Sequence, residues 1–235
     1  APADPSWMQA VANEMNVAEP AFVVPGDGEG GAFGLRWFTP TVEVDLCGHA
    51  TLATAHILWS EGRVPEGRPV GFETRSGRLT AEPRGDWIVL DLPAAPAGEA
   101  GLPPTALAAL GVEAVRTGSS HMWHLVEVAT EEDVTGADPD FAAMRGFDRG
   151  FIVTALSGRD VVCRVFAPAY GVDEDPVTGS AQCVLGPWWA PEVGTDDVTV
   201  RQLSARGGVL QVSVRGDRVE VGGQAVTTLR GTLVA

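Results

Sequence analysis

The segment "DLCGHATLATAHILW", residues 45–59, predicts a helix with almost no polar face. Residues 48–60 carry apolar or small side chains nearly all round, and Gly62 follows as a stop signal. A helix that is apolar on every side has to be enclosed by other elements rather than laid on a surface. We therefore expect the neighbouring strands to form a sheet wrapped around this helix.

A second segment, "DEDPVTGSAQCVLGPWWA" at residues 173–190, repeats this arrangement. Each helix opens on a glycine followed by a small or polar residue, and the free amides of such a helix start attract anions. The repeat predicts two similar halves joined by the Pro- and Gly-rich linker 92–104, with two helix openings suited to a carboxylate. The sequence similarity is weak, and a chance match is the alternative.

The remaining pattern is rich in short strands. A helix is predicted at residues 4–16, with Asp4 as cap, Pro5 in the first turn and Asn16 as stop. The loop "GDGEGGAFG" (26–34) is acidic, lacks lysine and precedes a strand, so it predicts a hairpin connection rather than a phosphate loop. Further helices are predicted at 104–111 and near 138–145, and strands at 21–25, 35–40, 42–46, 70–92, 112–118, 123–129, 151–156, 161–168 and 198–234.

Composition excludes several classes of function. The chain has 16 basic against 31 acidic residues, a formal charge of -15, so no nucleic-acid or membrane partner is expected. All basic residues are arginine, and the absence of lysine excludes Schiff-base chemistry and a P-loop. Three widely spaced cysteines without a CxxC motif predict a reducing compartment, and we expect a cytoplasmic protein.

Four segments carry a family resemblance: "NVAEPAFVVP", "FTPTVEVDLCGHATLATAHILW", "DEDPVTGSAQCVLGPWWA" and "LRGTLV". Together they resemble the PhzF-like phenazine biosynthesis family of the diaminopimelate epimerase superfamily. The resemblance implies an α+β fold of two pseudo-symmetric domains, each a curled, mostly antiparallel sheet wrapped round a central helix. Residues 1–94 with about 226–235 would form the first domain and 95–225 the second, and the family's first strand would precede residue 1.

The resemblance further implies a cofactor-independent isomerase that moves a proton between carbons of a small unsaturated amino or hydroxy carboxylic acid. Its active site would lie in the cleft between the domains, with Glu19 as general acid/base. Pro20 forces an extended backbone at Glu19, which fixes where the carboxyl group points. The alternative for Glu19 is an ordinary exposed turn residue.

The other implied site residues lie at the two helix openings. His49 would hydrogen-bond the substrate beside the Gly48 amide, and Asp175 would orient the substrate's amine or hydroxyl group. The alternatives are a packing histidine and an acid that only offsets the helix dipole. The resemblance assigns substrate binding at the second opening to Thr178, Gly179 and Ser180.

Two departures from the family pattern leave the substrate open. Ala18 replaces the serine that usually precedes the glutamate, and Gln182 replaces a histidine that often follows "TGSA". The reduced form of 3-hydroxyanthranilate used in phenazine synthesis is the substrate that the resemblance suggests first. The resemblance also implies a homodimer.

Two alternative functions remain. A non-catalytic binding or scaffold protein is possible because fold does not imply function. An epimerase using Cys47 is the other, but a two-thiol racemase would need a second cysteine where this chain has Thr178. We expect no metal, because Cys47, His49 and His56 lack the spacing of ordinary zinc sites.

Overall fold

The computed structural model describes residues 3–26 and 31–233 of the chain, so the middle of the predicted hairpin connection, 27–30, lies outside the described residues. The structure divides into two compact units. The first falls within Ala1–Asp91 and Gly222–Ala235, and the second is Leu92–Val221.

The first unit combines two helices with a small sheet. Its strands follow the order β1-β2-β4-β5-β6, with β3 paired to β2, and every pair is antiparallel except β2–β4. The last residues of β6 belong to the second unit. The elements are α1 (Pro5–Met15), β1 (Ala21–Pro25), β2 (Phe33–Phe38), β3 (Glu43–Val44), α2 (Gly48–Ser60), β4 (Val70–Thr74), β5 (Gly77–Arg84) and β6 (Trp87–Pro93).

The second unit has a larger sheet. Its strand order is β15-β14-β13-β11-β10-β9-β8-β7, with β12 paired to β11, and the parallel pairs are β9–β10 and β11–β13. The elements are β7 (Gly98–Glu99), α3 (Pro104–Leu110), β8 (Arg116–Ser119), β9 (Trp123–Glu127), α4 (Glu131–Thr135), α5 (Phe141–Met144), β10 (Gly150–Ser157), β11 (Asp160–Ala167), a 3₁₀ turn (Pro168–Tyr170), β12 (Val172–Glu174), α6 (Gly179–Val193), β13 (Asp197–Gln202), β14 (Gly208–Arg215) and β15 (Arg218–Gly223). The predicted α+β class with curled, mostly antiparallel sheet is therefore confirmed.

The two apolar helices differ in how far they are buried. In α6, nearly every residue from Gly179 to Ala190 is buried, as the sequence predicts. In α2, one face packs on β1 and β5, but Ala53, Ile57 and Ser60 are exposed on the other. These three residues recur at helical spacing, so they form one uncovered stripe. The prediction that residues 48–60 are enclosed on every side is wrong for this stripe.

Several local predictions are corrected by the structure. The helix predicted near 138–145 is only Phe141–Met144, and an unpredicted helix, α4, precedes it with a reciprocal cap between Thr130 and Asp133. The strand predicted at 42–46 shortens to Glu43–Val44. The strand-rich tail ends at Gly223, and residues 224–233 form neither helix nor strand. Leu229 in this tail is 83% exposed, so its side chain is not packed against a sheet.

The start of α6 is held by contacts deeper in the same unit. Trp189 Nε1 donates a hydrogen bond of 3.0 Å to Thr154 Oγ1, and that hydroxyl donates to Val162 O at 2.8 Å. At Gly186 an added Cβ would lie 2.9 Å from a methyl group of Val212, so only glycine permits this approach of helix to sheet. The helix is thereby fixed on β10 and β14, and its first turn with it.

We predict that Thr154→Val destabilises the protein by about 1–3 kcal/mol, because it leaves the buried Trp189 N–H without an acceptor while keeping the side-chain shape. Thr199→Val, on strand β13 of the same sheet and half-buried, is the matched control and should cost less than about 0.5 kcal/mol. Denaturant unfolding of both variants measures the difference. Equal stabilities would show that the Trp189 hydrogen bond does not anchor α6.

Candidate active site

The start of α2 leaves its first amides without a side-chain cap. Cys47 occupies the N-cap position, and its side chain makes no capping hydrogen bond. By contrast, α1, α4 and α5 are capped by Asp4, Thr130 and Asp140. Uncapped helix amides carry partial positive charge and can bind an anion. The Gly48 end of α2 therefore has the chemistry expected from the sequence.

Three side chains meet at this helix start. Glu19, just before β1, places Oε2 2.9 Å from His49 Nε2. The Cys47 thiol lies 3.7 Å from the same Glu19 oxygen and 3.6 Å from His49 Nε2. The side chains of Glu19 and His49 are 17% and 34% exposed, whereas Cys47 is 7% exposed. The carboxylate is thus held in a fixed position that remains open to solvent on one side.

The charge states in this group follow from burial and hydrogen bonding. Burial raises the pKa of the Cys47 thiol, so the thiol is protonated and neutral near neutral pH. For His49, burial opposes the charged ring, but hydrogen bonds with Cys47 and Glu19 outweigh it and raise the His49 pKa well above its ordinary value. Since the thiol is neutral, the Glu19 carboxylate is the negative charge next to the His49 ring. The pair is therefore an imidazolium beside a carboxylate.

In the second unit, Asp175 and Thr178 form a tight turn before α6. Thr178 Oγ1 donates to Asp175 Oδ2 at 2.8 Å. Gln202, at the end of β13, closes the turn: its Oε1 accepts from the Thr178 N–H at 2.8 Å and its Nε2 donates to Asp175 O at 2.6 Å. Asp175 Oδ1 has no hydrogen-bond partner among the described residues, so this oxygen is available for a ligand.

The start of α6 resembles that of α2 in its capping. Thr178 is the N-cap residue and makes no side-chain cap, so the first amides, including those of Gly179 and Ser180, keep their donor capacity. Gln182 is fully buried and donates to Thr178 O at 2.9 Å, while its Oε1 has no partner. Gln182, the departure noted in the sequence, therefore supports the backbone of the N-cap residue.

The structure groups the predicted site residues within each unit. Glu19, Gly48 and His49 come together in the first unit, and Asp175, Thr178, Gly179 and Ser180 in the second. Sequence reasoning missed Gln202, since a glutamine at a strand end gives no signal of its role. The sequence also gives no sign that the Cys47 thiol contacts both Glu19 and His49.

The metal-ligand set considered from the sequence is not the one that forms. His56 Nε2 pairs with Thr227 Oγ1 at 3.0 Å instead of joining Cys47 and His49. Glu19 takes its place, and the ligand atoms of Glu19, Cys47 and His49 all lie within 4.8 Å of one another. The expectation of no metal was based on sequence spacing, which gives no indication that Glu19 lies beside Cys47 and His49.

Two cavities in the described part of the structure lie away from the two helix starts. One of 440 Å³ is lined by Pro187, Pro191 and Asp196 around the C-terminal end of α6. Another of 400 Å³ lies by the C-terminal end of α2 and includes Trp59, Glu66 and Trp87. Neither contains a predicted site residue. No described helix combines the length and apolar character needed to cross a membrane.

We predict that His49→Gln lowers stability more at about pH 6 than at about pH 9. The His49 pKa is raised on folding, so the stabilisation is fully present below the unfolded value of about 6.5 and is lost as pH rises toward the folded value. Denaturant unfolding at both pH values measures this, with the exposed His121→Gln as control. A penalty independent of pH would show that His49 is neutral in the folded protein.

Comparison with known proteins finds a family match over nearly the whole chain. The sequence profile of the PhzC-PhzF family, described as phenazine biosynthesis-like protein, matches residues 2–231. An uncharacterized isomerase of Halalkalibacterium halodurans is 45% identical over 237 residues, covering 98% of this chain and 88% of that protein. The crystal structure of a PhzF-family phenazine biosynthesis protein from Enterococcus faecalis is 37% identical with a TM-score of 0.87, covering 94% of this chain and 85% of that one.

A more distant structure shows the fold alone. The crystal structure described as a probable proline racemase from Agrobacterium radiobacter is 12% identical, with a TM-score of 0.67, and covers 95% of this chain and 79% of that one. That structure and this chain therefore share a fold. With the profile matched over nearly the whole length and relatives at this level of identity, the chain belongs to the PhzC-PhzF family of phenazine biosynthesis-like proteins.

Proposed function

We propose that this chain is an isomerase that moves a proton between two carbons of a small unsaturated amino or hydroxy carboxylic acid, with Glu19 as general acid/base. The observation that carries the proposal is the Glu19 carboxylate, held 2.9 Å from the His49 ring beside the uncapped start of α2. The name of the Halalkalibacterium relative, an uncharacterized isomerase, supports the reaction class. The chain's lack of lysine is consistent with it, because this chemistry needs no Schiff base.

The proton balance is simple. The ionised Glu19 carboxylate takes a proton from one substrate carbon, and the electron pair of that C–H bond moves into the unsaturated system. The neutral carboxyl group then returns the proton to a different carbon, and the double bond shifts. One proton is taken and one returned, with no change in oxidation state, so the reaction as a whole requires no cofactor. A positioned carboxyl group typically contributes about 10²–10⁴-fold to such a transfer.

His49 assists Glu19 in both halves of the cycle. As an imidazolium it holds the Glu19 carboxylate by a contact of 2.9 Å and so fixes its direction. When Glu19 becomes neutral, the hydrogen bond to it weakens and the His49 N–H can donate to a substrate oxygen. The Gly48 amide, in the uncapped first turn of α2, is the neighbouring donor. Both groups would stabilise negative charge that develops on the substrate.

The second unit contributes binding groups in this proposal. Asp175 Oδ2 is held by Thr178, which leaves Oδ1 to accept from the substrate's amine or hydroxyl group. The uncapped amides of Gly179 and Ser180 would bind the substrate carboxylate. Thr178 has its hydroxyl committed to Asp175, so its role is to orient that carboxylate.

Cys47 is a poorer candidate for the base than Glu19. The thiolate is the reactive form of cysteine, and burial keeps this thiol protonated. The neighbouring Glu19 carboxylate also opposes formation of a second negative charge. The second helix start carries Thr178 where a two-thiol racemase needs its other cysteine.

We predict that Glu19→Gln abolishes proton transfer while leaving the protein folded. The wild type and the variant are incubated in heavy water with a panel of unsaturated cyclic and acyclic amino and hydroxy acids, and mass spectrometry follows deuterium uptake and isomerised product. We expect the variant to lose at least about 10²-fold of the wild-type rate. The exposed Glu14→Gln on α1 is the matched control and should retain the wild-type rate.

Two outcomes would contradict the proposal. Wild-type rates in Glu19→Gln on a confirmed substrate would remove Glu19 as the shuttle. No deuterium uptake from any compound, by folded wild-type protein, would instead favour the non-catalytic binding protein. A pull-down with wild type and Glu19→Gln would then test that alternative, since a binding surface need not depend on the carboxylate.

We predict that Cys47→Ser keeps turnover within about tenfold of the wild type, because the transfer does not pass through the thiol. An epimerase with Cys47 as its base would lose at least about 10²-fold. The same deuterium assay separates the two mechanisms. Circular dichroism confirms that the variant is folded, and loss of activity in folded Cys47→Ser would favour the thiol mechanism.

A further inference from the structure

We propose that Glu19, Cys47 and His49 form a binding site for one Zn²⁺ ion, with Glu19 Oε2, Cys47 Sγ and His49 Nε2 as ligands. This inference goes beyond isomerisation, since metal binding stands on the geometry of the three side chains alone. Only the consequence for turnover rests on the proposed function. Among residues 3–26 and 31–233, this is the group of three metal-binding side chains that lies within one coordination sphere.

The distances between the ligand atoms fit a tetrahedral ion. Zinc–sulfur, zinc–nitrogen and zinc–oxygen bonds of about 2.3, 2.05 and 2.1 Å at tetrahedral angles require edges of about 3.6 Å for S–N, 3.6 Å for S–O and 3.4 Å for N–O. The structure has 3.6, 3.7 and 2.9 Å for these pairs. Two edges already match, and the third is reached when the His49–Glu19 hydrogen bond opens by about 0.5 Å.

The donor types also favour zinc. Thiolate, imidazole and carboxylate together suit a borderline-soft ion and do not suit Mg²⁺ or Ca²⁺, which prefer oxygen ligands. In the metal-free protein the Cys47 contacts of 3.6 and 3.7 Å are weak, so coordination strengthens the interactions of the sulfur, while the 2.9 Å His49–Glu19 contact is exchanged for one bond from each residue to the ion. The Cys47 side chain does not cap α2, so its sulfur can ligate without disturbing the helix start.

The charge balance is compatible with the ion despite the positive end of α2. Binding displaces the Cys47 thiol proton and the proton on His49 Nε2, and both are released to solvent. The thiolate and carboxylate then neutralise the two charges of Zn²⁺, with His49 neutral. The helix amides stabilise the two anionic ligands rather than opposing the neutral complex.

The site is accessible and incomplete, as a site for an exchangeable ion should be. The His49 and Glu19 side chains are 34% and 17% exposed, which gives the ion an entry path. Three protein ligands leave the fourth tetrahedral position to water or a small anion. Because the ion occupies Glu19 Oε2, it and the proton shuttle exclude each other. Zinc would therefore act on this chain as an inhibitor that competes with catalysis, not as its cofactor.

The test is a titration of chelator-treated protein with Co²⁺, read by absorption. A tetrahedral site with a thiolate ligand gives a thiolate-to-cobalt band in the near ultraviolet and intense visible bands, which Zn²⁺ then removes. Mutation of a residue that only supports a metal ligand typically lowers metal affinity about 10–100-fold. Removal of a ligand itself, in Cys47→Ser or His49→Gln, should therefore lower the affinity for Co²⁺ at least about tenfold. Cys47→Ser should also lose the near-ultraviolet band, although Cys163 and Cys183 remain.

The control variant is the exposed His121→Gln, which should bind Co²⁺ as the wild type does. No cobalt bands in folded wild type at millimolar metal would overturn the proposal, as would bands of equal strength in Cys47→Ser. The readout needs no substrate, so it is independent of Glu19 catalysis. Cobalt bands that depend on Cys47 and His49, together with turnover unaffected by saturating Zn²⁺, would support the metal site and remove Glu19 as the proton shuttle.

Discussion

The contact between Glu19 Oε2 and His49 Nε2 is the interaction on which the candidate site depends. It joins the residue before β1 to the first turn of α2, two segments 30 positions apart in the chain. Burial lowers the pKa of the His49 ring, but hydrogen bonds with Cys47 and Glu19 outweigh it and raise that pKa well above its ordinary value. This contact gives the carboxylate a fixed direction.

The two helix starts have related roles in the proposed mechanism, but different contacts hold them in place. At α6, Gln202 and Thr178 tie the turn from both sides, and Trp189 fixes the helix on its sheet. This helix is buried along most of its length, so its first amides cannot shift independently of the core. At α2, one face remains exposed. His49 at its start is held by the side chain of Glu19. In the proposed mechanism, the groups that change protonation state would therefore lie at the start of the less enclosed helix, and the binding groups at the start of the more enclosed one.

Cys47 links the catalytic proposal to the metal proposal. As a neutral buried thiol it donates weakly to Glu19 and does not compete for the proton. The same position, however, completes a triangle of sulfur, nitrogen and oxygen that matches a tetrahedral ion on two edges. If both proposals hold, Cys47 does not react with the substrate but determines, by binding the ion, whether the Glu19 carboxylate is free. The physical reason is that metal binding favours the thiolate, which burial alone disfavours.

The sequence by itself determined the elements with strong local signals. Asp4, Pro5 and Asn16 delimit α1, the apolar run delimits α2, and the repeated Gly-containing openings indicate both helix starts. It did not identify α4, although Thr130 and Asp133 form its cap, because five residues carry too little periodicity. It also predicted strands as far as residue 234, whereas the last strand ends at Gly223. Strand propensity does not reveal whether a partner strand exists.

Only the tertiary structure decided which side chains meet. Sequence spacing grouped Cys47 with His49 and His56, yet His56 pairs with Thr227 while Glu19 joins the other two. Nothing local links residue 19 to residue 49; strand β1 and helix α2 bring them together by packing. The same holds for Gln202, which reaches the turn before α6 from the end of β13. Local sequence sets where chains turn and which faces are apolar, whereas contacts between distant segments depend on how those faces pack.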